Sequence, residues 1–175
     1  MPTQRINLQQ YIRSIPDWPK PGILFRDITP LLADPKAFAA AVDALCEGFT
    51  KADVDYVAAV EARGFIFGAA VASKLKVGFV PIRKKGKLPF KTESITYALE
   101  YGTDTLQVHS DAIEKGSKIL MVDDLLATGG TMAAACKLIE KIGGQIVAIS
   151  FLIELADLAG REKLGKYNIK TVISY

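Results

Sequence analysis

Two adjacent carboxylates, Asp123 and Asp124, close an apolar run, Ile119–Val122, and the cluster Thr128-Gly129-Gly130-Thr131 follows shortly after. An unbroken apolar run bounded by turn residues suits a strand buried on both faces. Leu125–Ala127 then reads as a short turn, and Thr131–Ile139 carries a helical pattern. Gly129 and Gly130 let the backbone take positive φ and approach a ligand closely. Amides at a helix start have no partner within the helix, and the helix dipole adds partial positive charge there. The segment Ala127, Thr128, Gly129, Gly130 and Thr131 therefore suits a phosphate, with two threonine hydroxyls as further donors. Two carboxylates beside a phosphate would only repel it. They make sense facing another part of the ligand, such as a vicinal diol or a Mg2+ bound to one. Phosphate at one end and neighbouring hydroxyls at the other describe a ribose 5-phosphate. The plainer alternative is a solvated strand end with an ordinary strand-to-helix turn. No Gly-Lys-Ser/Thr follows the glycines, and G-x-G-x-x-G is absent, so neither a P-loop nor a dinucleotide fingerprint is indicated.

Two further stretches carry positive charge to strand ends. Glu61-Ala62-Arg63-Gly64 lies between a predicted strand, Val54–Val60, and a predicted helix, Phe65–Leu75. A guanidinium at such a turn can fork onto phosphate oxygens, or it can serve as a surface ion-pair partner. Arg83-Lys84-Lys85-Gly86-Lys87, after a predicted strand Val77–Ile82, is the densest basic run. Charge alone would make it a solvated surface.

The elements that must position these residues follow from periodicity. Leu8, Tyr11, Ile12 and Ile15 predict a helix over Leu8–Ile15, broken by Pro16, Pro19 and Pro21. Pro21–Pro30, reading PGILFRDITP, has no clear period and reads as a loop that packs on something. Asp34 with Pro35 predicts a capped helix start. Ser94–Tyr101 and Thr105–Val108 predict a hairpin, Gln145–Leu152 a strand, Gly160–Leu164 a short helix and Ile169–Ile173 a last strand. Strands alternating with helices imply one α/β domain with a central parallel sheet flanked by helices, with ligands at the strands' carboxyl ends. A net charge of +3 without an arginine-rich run gives no support for nucleic acid. No apolar stretch approaches the length of a membrane span, and no leader pattern is seen, so a cytoplasmic protein is expected. Cys46 and Cys136 lie in apolar helical contexts and read as buried thiols. One histidine, His109, offers no multi-histidine metal site.

VDDLLATGGT resembles the phosphoribosyl-pyrophosphate motif of the type I phosphoribosyltransferases, in the form carried by the members that use adenine. The likeness runs from about Ile12 to Leu164. It implies that family's fold, with an N-terminal hood over residues 1–33 and a flexible lid hairpin over 90–109. PGILFRDITP is similar to the hood segment, where Leu24 and Arg26 would read the adenine edge through their backbone and Phe25 would stack on the ring. Phe25 as a plain core plug is the alternative. The Arg63 turn resembles the diphosphate loop, which implies a cis peptide at Glu61–Ala62; Arg83 and Lys87 would complete the diphosphate clamp. Lys84 and Lys85 would face solvent or a neighbouring subunit. Glu100 would hold the purine imidazole and manage its proton, and Tyr101 would close over the reacting centre, unless Glu100 is an ordinary edge-strand carboxylate. The implied reaction joins adenine to 5-phosphoribosyl 1-diphosphate, giving AMP and diphosphate in purine salvage. Mg2+ would be held through ribose hydroxyls, diphosphate and water, with Asp123 and Asp124 nearby but no direct protein ligand. A homodimer is the family's usual assembly.

Overall fold

The computed structural model describes residues 6–99 and 102–175. The chain divides into two compact units, Met1–Ala44 and Leu45–Tyr175.

In the first unit the predicted helix over Leu8–Ile15 is replaced by a single 3-10 turn, Leu8–Tyr11, followed by strand β1, Arg13–Pro16. Its partner is β2, Leu24–Asp27, inside the stretch read as a loop; the two are antiparallel, with Ile15 opposite Phe25. The apolar spacing that suggested a helix serves a hairpin instead, because cross-strand pairing outweighs a weak local preference. The returning chain contains a cis bond at Trp18–Pro19. Helix α1, Thr29–Ala33, is followed by α2, Pro35–Cys46. Asp34 caps α2 as the sequence predicts: its Oδ1 accepts from the Lys36 and Ala37 amides at 2.9 and 2.8 Å.

The second unit is built on β3 (Tyr56–Val60), α3 (Arg63–Leu75), β4 (Gly78–Lys84), β5 (Thr92–Ala98), β6 (Thr103–His109), β7 (Lys118–Leu126), α4 (Gly130–Lys141), β8 (Gln145–Glu154), α5 (Gly160–Lys163) and β9 (Ile169–Ser174). Among the described residues the sheet has seven strands in the order β5-β6-β4-β3-β7-β8-β9. Strands β4, β3, β7, β8 and β9 are parallel, and the β5–β6 hairpin joins antiparallel through β6 against β4. The hairpin body thus extends the main sheet at its edge. Ile119, Leu120, Met121 and Val122 are fully buried, as expected of a central strand covered on both faces.

The path of the chain explains where a ligand can sit. From β3 it moves to β4 and the edge hairpin, then returns past β3 to β7 and continues to β9. The order reverses between β3 and β7, so the loops leaving their carboxyl ends part to opposite faces and open a crevice. The Arg63 turn leaves β3 at this crevice, and the acidic pair lies near the end of β7.

Candidate active site

β7 is longer than its apolar run. Pairing with β8 continues to Leu126 opposite Glu154, so Asp123 and Asp124 lie within the strand rather than beyond it. Successive side chains of a strand point to opposite faces, and the two acids acquire different surroundings. Asp124 is buried and forms an ion pair with Arg63 Nη2. Asp123 accepts the Asp124 amide at 2.9 Å and lies against Gly64, where an added Cβ would be 2.7 Å from its Oδ1. Close packing around its carboxyl, then the charge of Asp124, push Asp123 well above the usual carboxylate range. One acid is neutralised by a guanidinium, and its neighbour has only partial compensation.

The Glu61–Ala62 peptide is cis, as the resemblance implied. Glu61 itself has a position that the sequence reading missed. Its Oε1 accepts the Lys84 amide at 2.8 Å and lies 3.3 Å from Arg83 Nε, while its Oε2 lies 3.3 Å from Lys87 Nζ. Arg83 Nη1 also donates to the Lys87 carbonyl at 3.3 Å. Burial raises the Glu61 carboxyl, but the Lys84 amide and the two cations outweigh it and leave it low. Arg83 and Lys87, separate letters of a basic run, are thus gathered onto one carboxylate beside Arg63. Lys84 turns instead to Asp104 on the hairpin, at 3.1 Å.

The phosphate-suited turn is positioned by a contact between distant glycines. Gly129 caps α4 with φ 78°, and an added Cβ would fall 2.5 Å from the Gly160 carbonyl oxygen. Gly160, at the start of α5, is packed as tightly on the Ala127 carbonyl. Gly130 does not need positive φ: it is the first residue of α4, with open space beside it. The sequence reading gave both glycines the same role, and only Gly129 has it. No side chain caps the amino end of α4, whose first turn includes Thr131. On the other side of α5, Arg161 Nε and Nη2 bind the two Glu154 oxygens at 2.6 and 2.8 Å. This fork lowers the Glu154 carboxyl against its burial. A depressed carboxylate stabilises the fold above its unfolded value, about 4.3, and the contribution is lost as pH falls through the folded one. Glu154→Gln should therefore flatten the loss of thermal stability below about pH 4.5; the same acid limb in variant and parent would mean that the fork does not bear on folding.

Glu100 and Tyr101 lie outside the described residues. Leu24, Phe25 and Arg26 lie together on β2 in the first unit. Trp18, which the sequence reading passed over, meets the Phe25 ring edge-on with centroids 4.4 Å apart, and Arg26 donates to Ser14 Oγ at 2.6 Å. His109 packs edge-on against Phe90. Lys85 is exposed. Cys46 and Cys136 are free and buried, and burial pushes the Cys136 thiol up to about 12. A depression of about 580 Å³ at the opposite, amino end of β3 and β4 is lined by Asp55, Lys76 and Lys115. It is remote from the acidic pair.

The geometry joins three features at the carboxyl ends of neighbouring strands: an uncapped helix start, a carboxylate pair and a gathered set of cations. A family model, the phosphoribosyl transferase domain, matches residues 31–174. The chain belongs to the phosphoribosyltransferase family. Relatives place this phosphoribosyltransferase among the adenine enzymes. The adenine phosphoribosyltransferase of Pseudothermotoga lettingae is 57% identical over 97% of this chain and 100% of its own. That of Thermotoga maritima is 54% identical over 98% and 99%. The crystal structure of the Thermoanaerobacter pseudethanolicus enzyme superposes with a TM-score of 0.91 at 52% identity, covering 96% of this chain and 98% of the other. The Saccharomyces cerevisiae enzyme, solved with adenine and an imino-altritol bisphosphate, gives 0.89 at 40%, covering 94% and 96%. The phosphoribosyltransferase fold thus accounts for the sheet order and for the helices on its faces. Among the described residues, no helix is long and apolar enough to cross a membrane.

Proposed function

We propose that this phosphoribosyltransferase transfers the 5-phosphoribosyl group of 5-phosphoribosyl 1-diphosphate to adenine, releasing AMP and diphosphate in purine salvage. The observation that carries the reading is the Arg63–Asp124 ion pair at the β3–β7 crevice. It puts a cation suited to diphosphate and an acid suited to a ribose diol side by side, with the open end of α4 nearby in the chain. Ala127, Thr128, Gly129, Gly130 and Thr131 anchor the 5′-phosphate and fix C1 in place, an orientation effect. Asp123 and Asp124 hold the 2′- and 3′-hydroxyls. Arg63, Arg83 and Lys87 bind the diphosphate.

Adenine N9 attacks C1 as the C1–O bond to diphosphate breaks. The N9 proton passes to Glu100, and the bonding pair leaves with the diphosphate oxygen. The ribose develops cationic character and the leaving group negative charge, so preorganised charge supplies most of the rate. Leu24 and Arg26 read the adenine edge through their backbone. Phe25 stacks on the ring, worth about 1–3 kcal/mol by analogy with base stacking. The lid segment over residues 90–109 closes over the centre and excludes water, which would otherwise hydrolyse the donor.

The donor set suits Mg2+: hard oxygens from hydroxyls and phosphates, with the Asp124 carboxylate, paired with Arg63, beside them. The ion would be held through the ribose hydroxyls, diphosphate and water, with Asp123 and Asp124 nearby, and would neutralise leaving-group charge. Two free buried thiols suit a reducing, cytoplasmic setting, and the reading includes a homodimer, as the family resemblance implies. A product assay with adenine and hypoxanthine competing for one donor should yield AMP almost alone, and a chelator should abolish it. IMP as the main product would overturn the adenine assignment; full activity in chelator would overturn the role of Mg2+.

A further inference from the structure

Tyr97 on β5 has no part in the scheme above, yet its hydroxyl lies 3.2 Å from Thr131 Oγ1 on the first turn of α4. The two residues are far apart in the chain, and both are half-buried. The contact ties the edge hairpin to the turn assigned to the 5′-phosphate. Behind Tyr97 stands Asp104, its directly opposed partner in the β5–β6 register, and behind Asp104 stands Lys84 at 3.1 Å. Burial raises the Asp104 carboxyl, but Lys84, the Thr105 amide and the Tyr97 hydroxyl outweigh it and keep it low.

Each hydroxyl has one proton to give and can accept another. When Thr131 donates to Tyr97, its proton points away from a ligand. A phosphate at the α4 terminus only accepts, so Thr131 must turn its proton to that phosphate. Thr131 can then only accept from Tyr97, which becomes the donor in the pair. Hydrogen bonds in such a chain polarise one another, and a hydroxyl that accepts one bond donates a stronger one.

We infer that Tyr97 is a positioning residue for the 5′-phosphate: it orients the Thr131 hydroxyl toward the phosphate and links occupancy of that cradle to the edge hairpin. The inference rests on the assignment of Thr131 to the 5′-phosphate. It is tested by titration calorimetry with ribose 5-phosphate and, separately, with diphosphate, on the full chain.

Tyr97→Phe should weaken ribose 5-phosphate about five- to tenfold, the loss expected for a charge-assisted hydrogen bond made less well. Diphosphate affinity should stay within about twofold, because the ring keeps its packing. In a Thr131→Val background the same change should cost nothing further, whereas Thr131→Ser, which keeps the hydroxyl, should restore the Tyr97 effect. Equal weakening of both ligands, or full additivity with Thr131→Val, would reduce Tyr97 to a packing residue and overturn the inference. So would a Tyr97→Phe protein with parental affinity when Thr131→Val alone weakens binding. If Thr131→Val leaves ribose 5-phosphate affinity unchanged, the cradle assignment itself is wrong, and the role of Tyr97 falls with it.

Discussion

Asp124→Asn should lower kcat about 10²–10³-fold, the size of loss seen when one preorganised charge-stabilising group is removed, with a much smaller change in KM. Asp124 is buried and already paired with Arg63. An asparagine of the same shape can still accept a diol hydrogen bond, so ground-state binding is largely kept. What it lacks is negative charge facing a ribose that becomes cationic only as the C1–O bond breaks. The change also releases Arg63 from its counter-ion, so thermal unfolding should be followed beside the kinetics. Single-turnover measurement isolates the chemical step; an unchanged rate there would mean that Asp124 is not a transition-state contact. Asp123→Asn makes a useful contrast. Burial and the neighbouring charge push the Asp123 carboxyl upward, so replacing it with a neutral amide removes less negative charge. Its kcat should fall about tenfold or less. The reverse ranking would transfer the electrostatic role to Asp123.

The acidic pair and the glycine turn were legible because their parts are contiguous. An apolar run that is buried throughout, two acids and a helix start need no tertiary information to be recognised as a unit. The α/β class followed in the same way from alternating periods. The end of β7 did not, because its last residues are held by pairing with β8 rather than by their own apolar character. The hairpin of β1 and β2 was missed for a related reason: Leu8, Tyr11, Ile12 and Ile15 satisfy a helical spacing, and only the partner strand decides otherwise.

The supporting residues were hidden more deeply. Glu61, Gly160 and Tyr97 each work through a residue distant in the chain, Trp18 meets Phe25 across its own hairpin, and none belongs to a local pattern. A signal for Glu61 did exist. It is an acid at a strand end, facing a basic run at the end of the next strand, and parallel neighbours bring such ends together. Nothing comparable pointed to Tyr97, whose partner lies across the sheet edge on another element.

Gly129→Ala should raise the KM for 5-phosphoribosyl 1-diphosphate about 100-fold, as expected when a binding group is displaced by about 1 Å. Two costs combine at this position. The backbone is left-handed, with φ 78°, which costs an alanine roughly 1–2 kcal/mol. The added Cβ would also lie 2.5 Å from the Gly160 carbonyl, a backbone atom that cannot rotate away. Gly160 is itself closely hemmed in, since a Cβ added there would fall on the Ala127 carbonyl and the Leu126 side chain. The turn must therefore move, and the first amides of α4 move with it. Those amides and the Thr131 hydroxyl are the proposed seat of the 5′-phosphate, so affinity for AMP should fall in parallel with that for the donor, while diphosphate affinity is spared. Gly130→Ala separates this reading from a general intolerance of the motif. Gly130 is the first residue of α4, its added Cβ would meet only Thr128 Oγ1 at 4.0 Å, and its amide survives the change. The loss there should be about threefold or less, in line with an unstrained surface substitution. Equal damage from both alanines would show that the cradle depends on the absence of side chains at both positions, and not on the left-handed turn that Gly129 alone makes.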